Sequence, residues 1–290
     1  MTDEINRGSG TLYITGTPIG NLEDITMRAL RILGVVDIVA AEDTRRTRAL
    51  LTHFGLSRKL VSYHEHNRRE AGERLLAELA KGRDVALVTD AGMPCVSDPG
   101  WELVRDARQI GIPVTVVPGP AALTAAAALS GLDAGRFVFE GFLPRERRER
   151  EQRLRAMAAQ DRAIVLYEAP HRLARTLADL LDALGDRCAA LCGELTKMHE
   201  RVTVERLSAL SDMFAQQEPR GEYVLVIEGQ QVREPAPEWK ALTLEQHIRV
   251  MMATGLQKKE AVREVARLRG IPKSQVYEAG LSIRAGSDEQ

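Results

Sequence analysis

Apolar residues along the first half of the chain occur in short runs, separated by amphipathic stretches. The runs are rich in β-branched residues, which predicts β-strands. They lie at residues 11–15, 35–41, 60–64, 85–88 and 113–117. Between them, apolar residues recur at helical spacing, as in Met27, Leu30 and Leu33. Strands and helices that alternate in this way predict a mainly parallel sheet covered by helices.

Turn-forming and charged residues directly follow several of these strands. The segments are residues 16–21, 42–47, 89–100 and 118–122. In a parallel sheet, ligands bind beyond the carboxyl ends of the strands. Segment 89–100 is the longest and holds two Gly, two Pro and two Asp. An ordinary turn with Ser97 or Asp98 capping the next helix is the alternative, but the length of the loop favours a ligand site.

The second half of the chain contains another set of apolar runs. Residues 163–167, 188–192, 202–204 and 223–227 predict a second sheet. Residues 137–144 are interpreted as the crossing into a second domain, and residues 230–237 as a polar linker. The predicted organisation is an N-terminal α/β domain at 1–135, a second α/β domain at 136–232 and a C-terminal helical segment at 238–290.

Three helices are predicted in the C-terminal segment, at residues 243–252, 258–268 and 273–281. Ala261, Val265 and Leu268 at helical spacing, then a Gly turn and Val276, are typical of a helix-turn-helix. A small packed bundle without nucleic-acid contact is an equally good interpretation.

Composition narrows the class of protein. The chain has 290 residues, 44% hydrophobic and 28% charged, with a formal net charge of −1. This balance excludes a generally basic nucleic-acid-binding coat but allows local basic patches. Three scattered Cys residues favour a reducing compartment over a disulfide framework. The polar N-terminus predicts no signal peptide, and Gly and Pro interrupt the uncharged residues 109–132, so a membrane span is not expected there.

Arginine clusters supply the candidate phosphate contacts. Arginine exceeds acid between residues 145 and 155, and a guanidinium suits phosphate better than an ammonium does. A solvated helix with i,i+4 ion pairs, such as Glu146 with Arg150, is the alternative. Aromatic residues make up 4% of the chain, so a stacking platform is not expected. The predicted RNA contacts are Arg45, Arg46, Arg68, Arg69, Arg145, Arg147, Arg148 and Arg150. His64 and His66 lack a third nearby ligand, so no metal is expected.

Six segments together resemble the tetrapyrrole-methylase superfamily, and most closely its ribosomal RNA small subunit methyltransferase I family. In chain order they are residues 16–22, 41–45, 89–100, 118–119, 167–172 and 194–197. The resemblance implies two α/β domains with a donor in the cleft between them, usually as a homodimer. One departure is Pro120, where related tetrapyrrole enzymes often carry a branched residue.

The resemblance also implies an activity: S-adenosylmethionine-dependent methylation of a cytidine ribose 2′-hydroxyl in 16S ribosomal RNA near the decoding centre. The cytoplasm is the expected location, and the small ribosomal subunit the expected partner. The implied donor-binding residues are Pro18, Ile19, Gly20, Asp90, Ala91, Gly92, Pro94, Ser97, Pro118, Gly119, Tyr167, Glu168 and Ala169.

Methyl transfer to a hydroxyl needs alignment of the reacting atoms and benefits from a base. The candidate bases are Glu42, Asp43, Glu168, His171 and Glu194, and Lys197 could steady negative charge. The sequence singles out none of them. Two other functions remain open: methylation of a tetrapyrrole or protein by the same fold, and a non-catalytic RNA-binding assembly factor.

Overall fold

A computed structural model describes residues 8–215, 219, 221–230, 238–281 and 283. The chain forms two compact units, residues 1–230 and 231–290. Both sheets lie within the first unit. Apart from Gln230, the predicted linker at 230–237 falls outside the described residues, and the domain boundary near residue 135 stays a prediction.

The first sheet is fully parallel, as the alternation of strands and helices predicted. Its strands are β1 (Leu12–Thr15), β2 (Ile38–Ala41), β3 (Lys59–Ser62), β4 (Val85–Val88) and β5 (Val114–Val117). They are ordered β3-β2-β4-β1-β5. β2 and β4 are buried along their whole length, because each lies inside the sheet with helices on both faces.

Different helices cover the two faces of this sheet. The helices of this region are α1 (Met27–Leu33), α2 (Thr44–His53), α3 (Arg68–Ala80), α4 (Trp101–Gln109) and α5 (Ala122–Leu129). Leu75 of α3 and Leu103 of α4 share one core with Leu87. Leu33 of α1 and Leu51 of α2 share the opposite core. Alternate residues of each strand point to opposite faces, so each strand contributes to both cores.

Helix α5 follows the last strand of the first sheet but packs on the second sheet. Its Ala126 is fully buried in a cluster with Val165, Ala190 and Val226. The loop between β5 and α5 therefore carries the chain from one sheet to the other, which places residues 118–121 between them.

The second sheet is mixed. Its strands are β6 (Phe137–Phe142), β7 (Ala163–Glu168), β8 (Cys188–Gly193), β9 (Arg201–Arg206) and β10 (Tyr223–Ile227), in the order β6-β7-β10-β8-β9. β6 and β7 are parallel and the other pairs antiparallel. The segment interpreted as a domain crossing is thus edge strand β6. Helices α6 (Arg147–Ala158), α7 (Pro170–Leu184) and α8 (Leu207–Ala215) accompany this sheet. α8 was not predicted, because it follows β9 with no Gly or Pro between them.

The second unit contains helices α9 (Leu244–Ala253), α10 (Lys258–Arg269) and α11 (Lys273–Gly280). The three predicted helices are confirmed to within one residue at each end. Ile248, Val265 and Val276 are fully buried at their centre. Gly270 ends α10 in the left-handed conformation, with φ of 64°, which glycine adopts without strain. None of the helices in the described part of the chain is long and apolar enough to cross a membrane.

Candidate active site

The loops that follow β1 and β4 are joined by their backbones. The amide of Thr17 donates to the carbonyl of Gly92 at 2.9 Å, and the amide of Gly92 donates back at 3.1 Å. The Thr17 hydroxyl donates to the carbonyl of Thr89 at 3.1 Å. These bonds fix the start of segment 89–100 against residues 16–20, so the two loops form one surface.

A third loop is held against the first by two glycines. A Cβ atom placed on Gly16 would lie 2.7 Å from the Cα of Gly119. Real Cβ atoms do not approach backbone so closely, so both positions need glycine for the loops to touch. Pro118 and Gly119 therefore belong to the frame of the site, and the walls of the two cavities described below do not include them.

The loop after β2 is tied to the loop after β4. The amide of Asp43 donates to Oδ1 of Asp90 at 3.0 Å, and Arg46 forms an ion pair with Asp90 at 3.3 Å. The Thr89 hydroxyl donates to Oε2 of Glu42 at 3.1 Å. Asp90 and Glu42 thus connect neighbouring strand ends across the sheet edge.

Asp43 is a helix cap and a poor candidate base. Its carboxylate accepts a 2.8 Å hydrogen bond from the amide of Arg45 and pairs with the Arg45 guanidinium at 2.7 Å. The hydrogen bonds from Arg45 hold the pKa of Asp43 well below its usual range. A carboxylate with such a low pKa takes up a proton weakly, so the structure gives Asp43 a structural role.

Two loops around the site hold non-glycine residues with positive φ. Cys95 and Ser97 in segment 89–100 have φ of 68° and 64°. Glu194 and Thr196 after β8 have φ of 53° and 64°. This conformation is uncommon for residues with a side chain and concentrates at functional sites. Both loops contribute residues to the cavity between the two sheets.

An apolar cavity lies where the two sheets meet. Its apolar wall is formed by Ile19, Met93, Val96, Leu123, Phe142, Tyr167, Leu195 and Val224. Tyr167 contacts Phe139 and Phe142 edge to face, with ring centres 5.0 and 5.6 Å apart. Asp98, Glu194 and Glu222 also line this cavity. An apolar space with a few carboxylates is typical of a small-molecule site.

A second, cationic cavity adjoins the apolar one. The two share Ile19, Ala91, Lys197 and Glu222 in their walls. The cationic cavity, named for Arg46 and Lys197, also includes His53, Pro18 and Gly20 in its walls, together with the carboxylates of Asp90 and Glu222. Lys197 forms an ion pair with Glu194 at 2.9 Å. The two cavities make one cleft, apolar at one end and lined by charged side chains of both signs at the other.

Asp98 is the site residue that sequence reasoning missed. Burial, together with the nearby carboxylate of Glu42, raises the pKa of Asp98 to about 6. A hydrogen bond with Thr89 acts in the opposite direction. The capping role considered for Ser97 or Asp98 is not found, because α4 has no side-chain cap. The sequence feature that could have pointed to Asp98 is that it is the second Asp of segment 89–100.

The geometry does not favour Glu168 as the base, and its place among the donor-binding residues stays a prediction. Its buried carboxylate accepts from the Thr176 hydroxyl at 2.6 Å and from the amide of Ala169 at 2.9 Å. It also pairs with Arg172 at 3.3 Å. A carboxylate held by three partners is not free to take a proton from a substrate, so Glu168 acts as an anchor for the wall of the apolar cavity.

The prediction for Arg150 is wrong. Its guanidinium donates to Oδ2 of Asp179 at 2.7 Å and to the Thr176 hydroxyl at 2.8 Å. The residue is 4% exposed, so it cannot contact a phosphate. The i,i+4 pair observed on the exposed face of α6 is Arg147 with Glu151, at 2.8 Å.

The other predicted phosphate contacts are exposed. Arg68 pairs with Glu102 at 2.9 Å, and Arg69 with Glu73 at 3.6 Å. Arg46 alone of the predicted set lines one of the two cavities. The exposed members of the set are Arg45, Arg46, Arg68, Arg69, Arg145, Arg147 and Arg148.

The cleft brings together many, but not all, of the predicted site residues. The predicted residues in its walls are Pro18, Ile19, Gly20, Asp90, Ala91, Gly92, Tyr167, Glu168, Glu194 and Lys197. The walls do not include Glu42, Asp43, Pro94, Ser97, Pro118, Gly119, Ala169 and His171. His171 is exposed at the start of α7, so the geometry does not favour it as the base.

Solved structures with the same fold include a methyltransferase and a synthase. Uroporphyrin-III C-methyltransferase from Thermus thermophilus superposes with a TM-score of 0.55 at 24% identity, over 76% of this chain and 94% of that one. Diphthine synthase superposes with a TM-score of 0.59 at 19% identity, over 76% and 90%. At these identities the likeness shows the fold alone.

Sequence relatives are much closer. The chain matches the family of tetrapyrrole (corrin/porphyrin) methylases over residues 11–211. It is 45% identical to ribosomal RNA small subunit methyltransferase I of Halalkalibacterium halodurans, over 92% of this chain and 93% of the relative. It is 41% identical to the enzyme of that name from Escherichia coli O157:H7, over 95% and 96%. The chain therefore belongs to the tetrapyrrole methylases and, within them, to the ribosomal RNA small subunit methyltransferase I family.

Proposed function

We propose that this protein transfers a methyl group from S-adenosylmethionine to the ribose 2′-hydroxyl of a cytidine in 16S ribosomal RNA, near the decoding centre. The observation that carries the proposal is the two-part cleft, whose apolar end holds carboxylates and whose other end holds Arg46, His53 and Lys197. The name of the sequence relatives supports ribosomal RNA of the small subunit as the substrate.

The residues of the apolar cavity fit the donor. S-adenosylmethionine carries an adenine ring, a sulfonium and an ammonium, and it supplies an electrophilic methyl group when bound. Phe142, Tyr167 and Leu123 offer apolar surface for the adenosine part. Asp98 and Glu222 offer negative charge for the two cationic groups. A buried carboxylate with a raised pKa, such as Asp98, gains most from a nearby cation.

The cationic cavity fits the RNA backbone. Arg46 and Lys197 are positive. Arg46 pairs with Asp90 at 3.3 Å, and its side chain is 71% exposed, so a phosphate can reach it from solvent. Lys197 and Glu222 stand at the boundary between the two cavities. A ribose held there by its phosphates would place its hydroxyl toward the apolar cavity. Holding the reacting atoms in line is the main contribution that we assign to the protein.

A carboxylate of the cleft would accept the proton that leaves the hydroxyl. Glu194 and Asp98 line the apolar cavity, and neither is enclosed by several partners as Glu168 is. Glu194 is paired with Lys197, which could stabilise the oxygen as negative charge develops. Single-turnover rates of Glu194→Gln and Asp98→Asn separate the two. A loss below about tenfold in both, or roughly 1.4 kcal/mol, would mean that no single base is essential.

The test of the function is methyl transfer from labelled S-adenosylmethionine. Three substrates are compared: small ribosomal subunits without their native modifications, naked 16S RNA and a tetrapyrrole precursor. Label on a cytidine 2′-oxygen supports the proposal and shows which state of the RNA is the substrate. If the protein binds the donor but labels no RNA, the proposal of a donor site stands and the proposal of an RNA substrate is contradicted. A homodimer and a cytoplasmic location remain predictions.

A further inference from the structure

A groove on the C-terminal unit lies between α10 and α11. Its walls include Lys259 and Arg263 from α10, and Lys273 and Tyr277 from α11. Each pair is spaced i,i+4, so each forms a row along its helix with a rise of about 6 Å. Val262, which is 6% exposed, and the carboxylate-bearing Glu260 also line the groove. The groove is therefore bordered by two rows, one wholly cationic and the other a cation followed by an aromatic ring.

The cations of the groove are exposed and open to a ligand. Lys259, Arg263 and Lys273 are all exposed, and none forms an ion pair with a carboxylate within the described part of the chain. Two other cations of this unit are engaged: Arg267 pairs with Glu264, and Lys258 donates to the carbonyl of Ile283 at 2.5 Å. Lys259, Arg263 and Lys273 outnumber the single carboxylate of the groove, Glu260, so the groove attracts an anion.

The aromatic ring of the groove narrows the class of partner. Tyr277 is 59% exposed, so its ring is accessible at the wall of the groove. An exposed ring beside cations is the arrangement with which proteins bind single-stranded nucleic acid: bases stack on the ring and phosphates meet the cations. An acidic peptide would use the cations but would leave the ring without a flat partner.

We propose that this groove binds single-stranded ribosomal RNA, with phosphates on Lys259, Arg263 and Lys273 and a base on Tyr277. The inference rests on the proposed function, since it assumes that the protein acts on RNA. It adds a second contact to the substrate, made by a different part of the chain from the cleft. A separate contact would raise the affinity for an extended RNA without touching the reacting atoms.

The experiment measures binding of the full-length protein to a single-stranded RNA oligonucleotide as the salt concentration is varied. Arg263→Glu is compared with Arg249→Glu, an equal charge change on exposed residue 249 of α9, outside the groove walls. We expect Arg263→Glu to weaken binding at least tenfold and to reduce the slope of log K against log salt by about 1. Tyr277→Leu should weaken binding about 5- to 100-fold without changing the slope. Arg249→Glu should behave like the wild type.

Two results would overturn the inference: Arg263→Glu and Tyr277→Leu binding RNA as tightly as Arg249→Glu does, or polyglutamate competing as well as single-stranded RNA. S-adenosylmethionine binding by each variant serves as the check on folding. If the wild type methylates small ribosomal subunits but binds no single-stranded RNA, the groove inference fails alone; if it methylates ribosomal RNA in no state, the proposed function itself fails. If the wild type binds RNA and the groove variants bind equally well, the groove inference fails alone.

Discussion

The backbones of Gly16 and Gly119 touch, so that a Cβ atom on Gly119 would lie 2.8 Å from the Cα of Gly16. The contact joins the loop after β1 to the loop that leads into α5. Because α5 packs on the second sheet, this contact links the loop after β1 to the segment that crosses to the second sheet.

Gly119→Ala should push these loops apart. We expect the free energy of unfolding to fall by about 1–3 kcal/mol, the usual cost of overpacking, and S-adenosylmethionine affinity to fall as the cleft widens. Chemical denaturation and calorimetric titration measure the two effects. Gly72→Ala in α3 is the control, since its nearest neighbour is the Tyr63 ring at 3.8 Å and alanine favours a helix by up to about 1 kcal/mol. Equal stability of the two variants would contradict the prediction.

Replacement of Arg150 by alanine should lower stability, whereas replacement of Arg148 by alanine should change RNA binding. Arg150→Ala leaves Asp179 and Thr176 without their buried partner. Asp179 keeps partial exposure and its ion pair with Arg175, so we expect a loss of about 1.5–3 kcal/mol in the free energy of unfolding. It should leave the salt dependence of RNA binding unchanged in the protein that remains folded. Arg148 is exposed on the same helix. If it meets a phosphate, Arg148→Ala reduces the salt slope by about 1 and leaves stability nearly unchanged.

Donor affinity should depend on pH through Asp98. With a pKa of about 6, the free carboxyl becomes ionised as pH rises through 6, and the ionised form attracts a cationic donor. S-adenosylmethionine should therefore bind more tightly at pH 7.5 than at pH 5. Asp98→Asn should bind it weakly and with a flatter pH profile. S-adenosylhomocysteine lacks the sulfonium charge, so its affinity should depend less on pH. If its affinity changes with pH as steeply as that of S-adenosylmethionine, Asp98 does not contact the sulfonium.

Asp98 should also lower stability when it is ionised. Its pKa lies near 6 in the folded protein, above the ordinary aspartate pKa of 3.8, so the folded state binds more protons between these two pH values. The free energy of unfolding must then fall as pH rises from about 4 to about 6. The fall should be on the order of 1 kcal/mol, since solvent screening weakens the effect for a partly exposed group. Asp98→Asn should abolish this contribution, as denaturation curves at pH 4.5 and 7.5 would reveal.

Arg46→Ala should weaken binding of the RNA substrate without changing the affinity for the donor. Arg46 lines the cationic cavity and is not part of the apolar one. We expect KM for small subunits to rise about tenfold, the loss of one charge-assisted hydrogen bond, with an unchanged Kd for S-adenosylmethionine. Arg31→Ala, on an exposed position of α1 outside both cavities, is the matched control. A weaker donor affinity in Arg46→Ala would mean that Arg46 serves the apolar cavity after all.

Sequence patterns by themselves determined the elements and the kind of site. The apolar runs at residues 35–41 and 85–88 predicted strands, and the structure buries β2 and β4 along their whole length. Gly, Pro and charged residues after these strands predicted a site at their carboxyl ends. Three helices in the C-terminal unit followed from spacing alone. These features depend on neighbours along the chain, which a sequence displays directly.

Tertiary structure alone decided which residues of those segments meet. Arg150 lies in an arginine-rich run, yet it is buried against Asp179 and Thr176, which come from another helix. Asp98 gains its raised pKa from burial and from Glu42, which lies far away along the chain. Periodicity reports how much of an element is buried but not what buries it. The partner is chosen by packing between distant segments. The same packing turned one predicted phosphate contact into a core residue and placed Asp98, considered only as an alternative helix cap, in the wall of the apolar cavity.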